Sequence, residues 1–255
     1  MFFSAKGEYL PCGMFSIGHF ILIIITSLAI YIAIKHTKNK DKNQVYKIIK
    51  TLTIIICILE LLKIIFVLFI EKAYNVNEFL PLYYCSLLIY AGLLSSFGKG
   101  KIKRAGDVFL ATGAIVGGTV FIIFPSTTLP AYPMLHCLSL YSFLFHGIMV
   151  YLGLLINITQ YIELQKSDIK YYSKLVTIIC IVAYFINIKF DSNLMFISRN
   201  FPGTILEVSY NILGPFYTLV ISLVQIVLPF YFIYYAKEII KKKKLVRLVN
   251  YSTLK

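Results

Sequence analysis

The sequence predicts an all-α, polytopic membrane bundle of seven transmembrane helices, N-terminus out and C-terminus in. Three observations carry that prediction. Hydrophobic residues make up 59% of the 255 residues and charged residues only 14%, against roughly 25% charge in a soluble domain. Seven apolar stretches, 17–34, 48–70, 80–97, 108–124, 132–156, 175–188 and 213–236, approach the ~20 residues a helix needs to cross a ~30 Å hydrocarbon core. The basic residues, which give a net charge of +14, fall on alternate connections.

Taken in order, the first stretch is as long as a full span and no small-residue cleavage pattern follows it, so a cleaved signal peptide is not expected. The second carries Glu60 and Lys63, three residues apart and hence on one helical face. Pro81 stands in the expected first turn of the third, where a missing N–H leaves no intrahelical bond unmade. Gly113, Gly117 and Gly118 in the fourth are spaced for close helix approach, a packing signal. His136 and His146 lie in the fifth, about 15 Å apart along the axis. The sixth is the shortest run and ends in Asn187, Lys189 and Asp191, so it is either tilted or begins near Tyr171. Pro215 and Pro229 are placed to break the seventh.

Twenty of the 25 basic residues sit in the first, third and fifth connections and in the tail 237–255. Lys6, Lys72, Lys189 and Arg199 are all that the other side holds, and Lys63 is inside a span. That asymmetry is the positive-inside pattern, and it turns the +14 into a topology marker rather than a nucleic-acid surface. The run 241–244, directly after a span, is expected to touch anionic lipid headgroups. The chain reads as one multi-pass bundle of the cell membrane, without a second domain, a phosphate-binding loop, a dinucleotide fingerprint or a paired CxxC metal pattern. No cofactor or metal is expected.

Ionisable groups inside a span cost about 2.5–3.5 kcal/mol each on insertion scales, so each needs a partner or a purpose. Glu60 and Lys63 are expected to pair toward the bundle interior, as a packing device or as part of a substrate or proton site. His19 reads as an interfacial anchor and His36 as a solvated loop residue. Of the five cysteines, Cys85 is distinguished by its setting, Leu80-Pro81-Leu82-Tyr83-Tyr84-Cys85-Ser86, roughly 7 Å below the outer interface and level with His136. A thiol nucleophile needs a nearby base, and the two span-five histidines supply candidates. Cys12, Cys85 and Cys137 all face the outer side, where a disulfide is conceivable. The outer segment 189–214 holds Asn193, Arg199, Pro202 and Glu207 and is either a lid or a solvated loop, with Arg199 its best candidate for a phosphate or carboxylate.

The run from Leu80-Pro81-Leu82 to Cys85-Ser86 resembles the YwaF-type family of bacterial integral membrane proteins. Further similarity lies in Glu60, in Phe143 to His146, and in Ser192-Asn193-Leu194-Met195 with Pro202. That family looks related to eukaryotic cysteine-dependent phospholipid acyltransferases and, more remotely, to androgen-induced lipid hydrolases. The resemblance implies an enzyme of lipid acyl transfer or lipid-ester hydrolysis, with Cys85 as nucleophile and His146, or failing that His136, as base. Glu60 would then orient the histidine, Lys63, Asn193 and Arg199 would hold the substrate, and membrane phospholipids would be its partners. Two other classes stay open: a small membrane transporter or substrate-binding module lined by Glu60, Lys63 and the histidines, and a partner protein without a site of its own.

Overall fold

A computed structural model describes the backbone of residues 1–253 and the side chains of residues 1–243. Its principal helices are α1 (Ile17–Thr37), α2 (Lys42–Phe69), α3 (Val76–Phe79), α4 (Leu87–Phe97), α5 (Gly100–Ala111), α6 (Gly113–Ile123), α7 (Cys137–Ile158), α8 (Ile169–Phe190), α9 (Ile205–Leu213) and α10 (Tyr217–Thr253). Six segments are long and apolar enough to cross a membrane: α1, α2, α5 with α6, α7, α8 and α10. The protein is a polytopic helical membrane bundle.

The third expected span departs from a full helix. Only α4 is regular there, and its 11 residues cover about 16 Å, half of a hydrocarbon core. The other half is made by the non-helical run 80–86, so Pro81 lies outside the helix rather than in its first turn. The backbone gives the reason: the Pro81 carbonyl accepts a hydrogen bond from Tyr90 Oη (3.0 Å) and Leu82 N–H turns back to Leu80 O (2.8 Å). Non-helical backbone at membrane depth is tolerated where protein covers it, and Leu82 is buried here.

Other boundaries also move. The fourth span begins earlier, at Gly100, and breaks at Thr112, whose hydroxyl bonds back to Val108 O (2.7 Å). His136 precedes α7 as its N-cap, so the fifth span starts at Cys137 rather than 132. The sixth is longer than its apolar run, 22 residues from Ile169, and stops where Asp191 turns left-handed (φ 55°). Asp41 and Gln44 cap each other at the start of α2, which begins at Lys42. Pro215 sits in a short turn before α10, while Pro229 lies within it. The tail's side chains beyond residue 243 fall outside the described residues.

Contacts at the two ends show the chain alternating between them. At one end Tyr46 donates to Ser96 O (2.8 Å), Tyr151 to Thr37 (3.2 Å) and Arg104 to Asp168, gathering the three lysine-rich connections. At the other, Cys12 N–H meets Tyr132 O (2.9 Å), Cys137 N–H meets Phe2 O (3.0 Å) and Asn193 N–H meets Asn77 Oδ1 (2.8 Å). The core lies along α5, α6 and α7: 67% of the apolar window of 100–123 is buried against 17% of that of α1. Val108 to Ala111, Met149, Leu152, Leu155 and Ile156 are sealed completely. Outward faces carry Ile24, Leu28, Phe185 and Ile188 exposed, the surface a lipid solvent requires.

Candidate functional site

Cys85 sits in the turn just before α4, near the mid-depth of the bundle and deeper than the sequence placed it. Its thiol points at the Gly117 carbonyl of α6 (Sγ to O 3.8 Å). The absent side chains at Gly113 and Gly117 let Tyr84 lie against α6, for a Cβ on either would meet the Tyr84 side chain at 2.7–2.9 Å. Gly118 does the same for α7, where a Cβ would meet His146 O at 2.8 Å. The glycine spacing is therefore a packing device, and what it packs is the approach of Cys85 and His146 to one helix.

Tyr84 Oη and Tyr172 Oη are 2.7 Å apart, and Tyr172 Oη donates to Gln225 O (3.0 Å). With the Tyr172 proton used on a carbonyl, the proton between the two phenols belongs to Tyr84. Both tyrosines brace the cysteine turn against α8 and α10.

His146 is 7% exposed and stacked on Phe121, ring centroids 3.6 Å apart. Phe121 lies four residues beyond Gly117 on α6, about 6 Å along the axis. The Nδ1 atom is 2.7 Å from Ser142 O. A carbonyl only accepts, so Nδ1 carries the hydrogen and Nε2 carries the lone pair. Nε2 is buried and has no hydrogen-bond partner.

His136 lies at the outer end, away from the cysteine turn. Its Nδ1 accepts the Leu138 N–H (3.2 Å) and its Nε2 donates to Ser4 O (3.0 Å), while its ring stacks on Tyr132 (4.5 Å). Both ring nitrogens are occupied, and His136 has no lone pair left for a thiol. The expected level match between His136 and Cys85 fails because α4 starts late and α7 starts at the very edge. Beside it, Tyr132 Oη donates to Glu71 (2.8 Å), and burial pushes the Glu71 carboxyl above the ordinary range.

Glu60 and Lys63 pair as expected (3.2 Å), with Glu60 7% exposed. The second Glu60 oxygen takes the hydroxyl of Tyr141 on α7. Its carboxylate is thus shared between Lys63 and Tyr141, and the group that orients His146 is Ser142 O. His19 is buried between Phe15 N–H and Ile122 O (3.0 Å each), which makes it a tie from α1 to α6 rather than an interfacial anchor.

The outer segment after α8 folds into the bundle instead of lying in solvent: Leu194, Met195 and Ile197 are at most 1% exposed. Asn187 organises it, donating to Leu194 O (3.0 Å) and Ser198 Oγ (2.7 Å) and accepting from Ser192 Oγ and Leu194 N–H. Phe196 packs on Tyr83, centroids 4.9 Å apart, directly over the cysteine turn. Met195 and Phe196 both adopt positive φ, 58° and 53°, each costing about 1–2 kcal/mol. Gln225 Nε2 to Met195 O (3.0 Å) and Tyr217 Oη to Phe196 O (2.8 Å) hold them there. Asn193 is engaged inside this segment, accepting from Ser198 and Arg199 amides, and Arg199 is paired with Asp191. All five cysteines are free thiols. Among the described residues no group of three His, Cys, Asp or Glu side chains is arranged to hold a metal.

Sequence reasoning singled out Cys85 and His146 as candidates but did not name Phe121, Ser142 O, Tyr172 or Gln225. The Gly113-Gly117-Gly118 pattern was the signal for the first, since it marks where neighbouring helices come closest. Residues 14–235 match the model of the TMEM164 family, which covers most of the chain, and the chain belongs to that family. No curated protein and no solved structure matches it.

Proposed function

We propose that this TMEM164-family membrane protein is a lipid acyltransferase or lipid-ester hydrolase of the cell membrane, with Cys85 as nucleophile and His146 as base. One observation carries the reading. His146 is fixed by Ser142 O so that its lone pair sits on Nε2, that nitrogen is buried and unpartnered, and the ring stacks on Phe121, one turn of α6 beyond the Gly117 carbonyl that the Cys85 thiol meets. A buried acceptor left without a partner costs about 1–3 kcal/mol, and a proton-transfer role gives it a use. The likeness to YwaF-type proteins and their cysteine-dependent relatives points the same way.

In this mechanism His146 Nε2 takes the Cys85 thiol proton as sulfur attacks the carbonyl carbon of a phospholipid ester. The tetrahedral intermediate collapses, the C–O bond breaks, and His146 returns the proton to the leaving alkoxide. A thioester remains on Cys85. Water, or the hydroxyl or amine of an acceptor lipid, then gives its proton to His146 and attacks the thioester, freeing the thiol. Mid-depth placement suits acyl-chain entry from the bilayer, and the 191–203 segment over Tyr83 keeps bulk water out. Lys63, with hydrogens to spare beyond Glu60, would meet the substrate phosphate.

The test is intact-mass analysis of the purified chain after reconstitution with defined phospholipids. A mass increase equal to one fatty acyl group, removable by hydroxylamine and lost in Cys85→Ser, is expected. Unchanged lipid turnover in Cys85→Ser overturns the assignment.

A further inference from the structure

We infer that a second site, independent of the Cys85 chemistry, binds a phosphate-bearing anion in the cleft between the start of α5 and the start of α8 at the lysine-rich end. The open cleft has a volume of about 550 Å³, and its charged lining is Lys101, Arg104 and Lys170 with the carboxylates of Glu163 and Asp168.

Its geometry is prepared in advance. Asp168, 3% exposed, takes Arg104 Nε (2.9 Å) and Nη2 (2.5 Å) and also accepts the Gln165 N–H (2.8 Å), locking the guanidinium to the turn that begins α8. Arg104 Nη2 bonds in addition to Glu163 O (2.6 Å). A guanidinium has five N–H donors, and these contacts leave the two on Nη1 without a partner among the described residues. Its orientation is already fixed, so the two Nη1 hydrogens are held in place as donors for an anion.

The charges around it also favour an anion. Asp168 is paired with Arg104, so Lys101 and Lys170 face one further lining carboxylate, that of Glu163. Lys101 and Lys170 are exposed on the cleft wall, and neither has a carboxylate within ion-pair distance among the described residues. α5 opens at the same spot with no side-chain cap on its first amides, adding the positive end of a helix. A solvated basic face would scatter its cations, whereas here two ammonium groups without an ion-pair partner among the described residues share one cleft with the free Nη1 of an immobilised arginine.

The phosphate belongs either to a lipid headgroup of the adjoining leaflet or to a soluble phosphate ester. Calorimetric titration of the full chain in nonionic detergent separates the two, with dioctanoyl phosphatidic acid as the lipid probe and glycerol 3-phosphate as the soluble one. Two double variants are compared: K101A/K170A in the cleft, and K38A/K42A, which removes the same charge from the first connection. The cleft variant should weaken binding on the order of tenfold while the control changes it less than about twofold. Tighter binding of the lipid probe assigns the site to a headgroup, and equal binding of the two probes assigns it to a soluble ester. If neither probe binds, or if the two double variants weaken binding equally, the site does not exist.

Discussion

Helix α7 carries two histidines, and its outer end and its middle treat them in opposite ways. His136 accepts on Nδ1 and donates from Nε2, so both nitrogens serve the cap that holds the N-terminal segment over the bundle. His146 donates from Nδ1 to Ser142 O and keeps a lone pair on a buried Nε2 that nothing meets. The two rings thus hold opposite tautomers ten residues apart on one helix. A buried polar atom is normally paired because leaving it bare costs stability. Where one helix satisfies one histidine fully and leaves the other open, the open one is the candidate for chemistry and the satisfied one for architecture.

The comparison can be broken or sharpened by substitution. The largest effect belongs to the proposed nucleophile: Cys85→Ser should lower lipid turnover on the order of a thousandfold or more. His146→Gln keeps a polar side chain but removes the base, and should cost about 10²–10⁴ in turnover with little change in melting temperature. Equal losses from His146→Gln and His136→Gln would erase the distinction between them. Glu60→Gln removes the countercharge of Lys63 and should destabilise the fold by about 2 kcal/mol, discounted from a fully buried pair because Lys63 is partly exposed. It should leave turnover per folded molecule within a few-fold, and thermal unfolding beside single-turnover rates separates the two readouts.

His136→Ala should remove the α7 cap and the tie to Ser4 for about 1 kcal/mol, seen as faster proteolysis of the N-terminal segment, with acyl transfer unaffected. The smallest effect concerns Glu71 beneath that cap. Burial raises its folded-state pKa, so the folded protein holds this proton more tightly than the unfolded chain. Its contribution favours the fold below the ordinary carboxylate range and is lost as pH rises through the raised value. The difference in melting temperature between wild type and Glu71→Gln should therefore grow from acid toward neutral pH, with the variant the more stable at neutrality. A flat difference would show that Glu71 is solvated.

Much of the fold was legible because membrane spanning is read from composition. Apolar runs of span length and lysines on alternate connections carry their meaning locally, and six of the seven runs are long helices. The remaining run, the third at 80–97, failed for a reason its apolar pattern does not hold: the contact of Tyr90 with Pro81 O accompanies a non-helical 80–86. The Glu60–Lys63 pair was visible at three-residue spacing, whereas Tyr141, its third member, lies 81 residues away from Glu60. Arg199 and Asn193 looked like ligand groups as lone polar residues, yet the folded segment uses both internally.

The sequence by itself determined that this is a multi-pass helical membrane protein with its lysines at one end, and it singled out Cys85 and the two α7 histidines as the groups with reactive potential. Only the tertiary structure decided which histidine is free, how deep the thiol lies and what covers it. The physical reason is that a tautomer, a depth and a lid depend on partners from other helices. Ser142 O, Ser4 O, Gly117 O and Phe196 come from separate parts of the chain, and no spacing within one segment announces them.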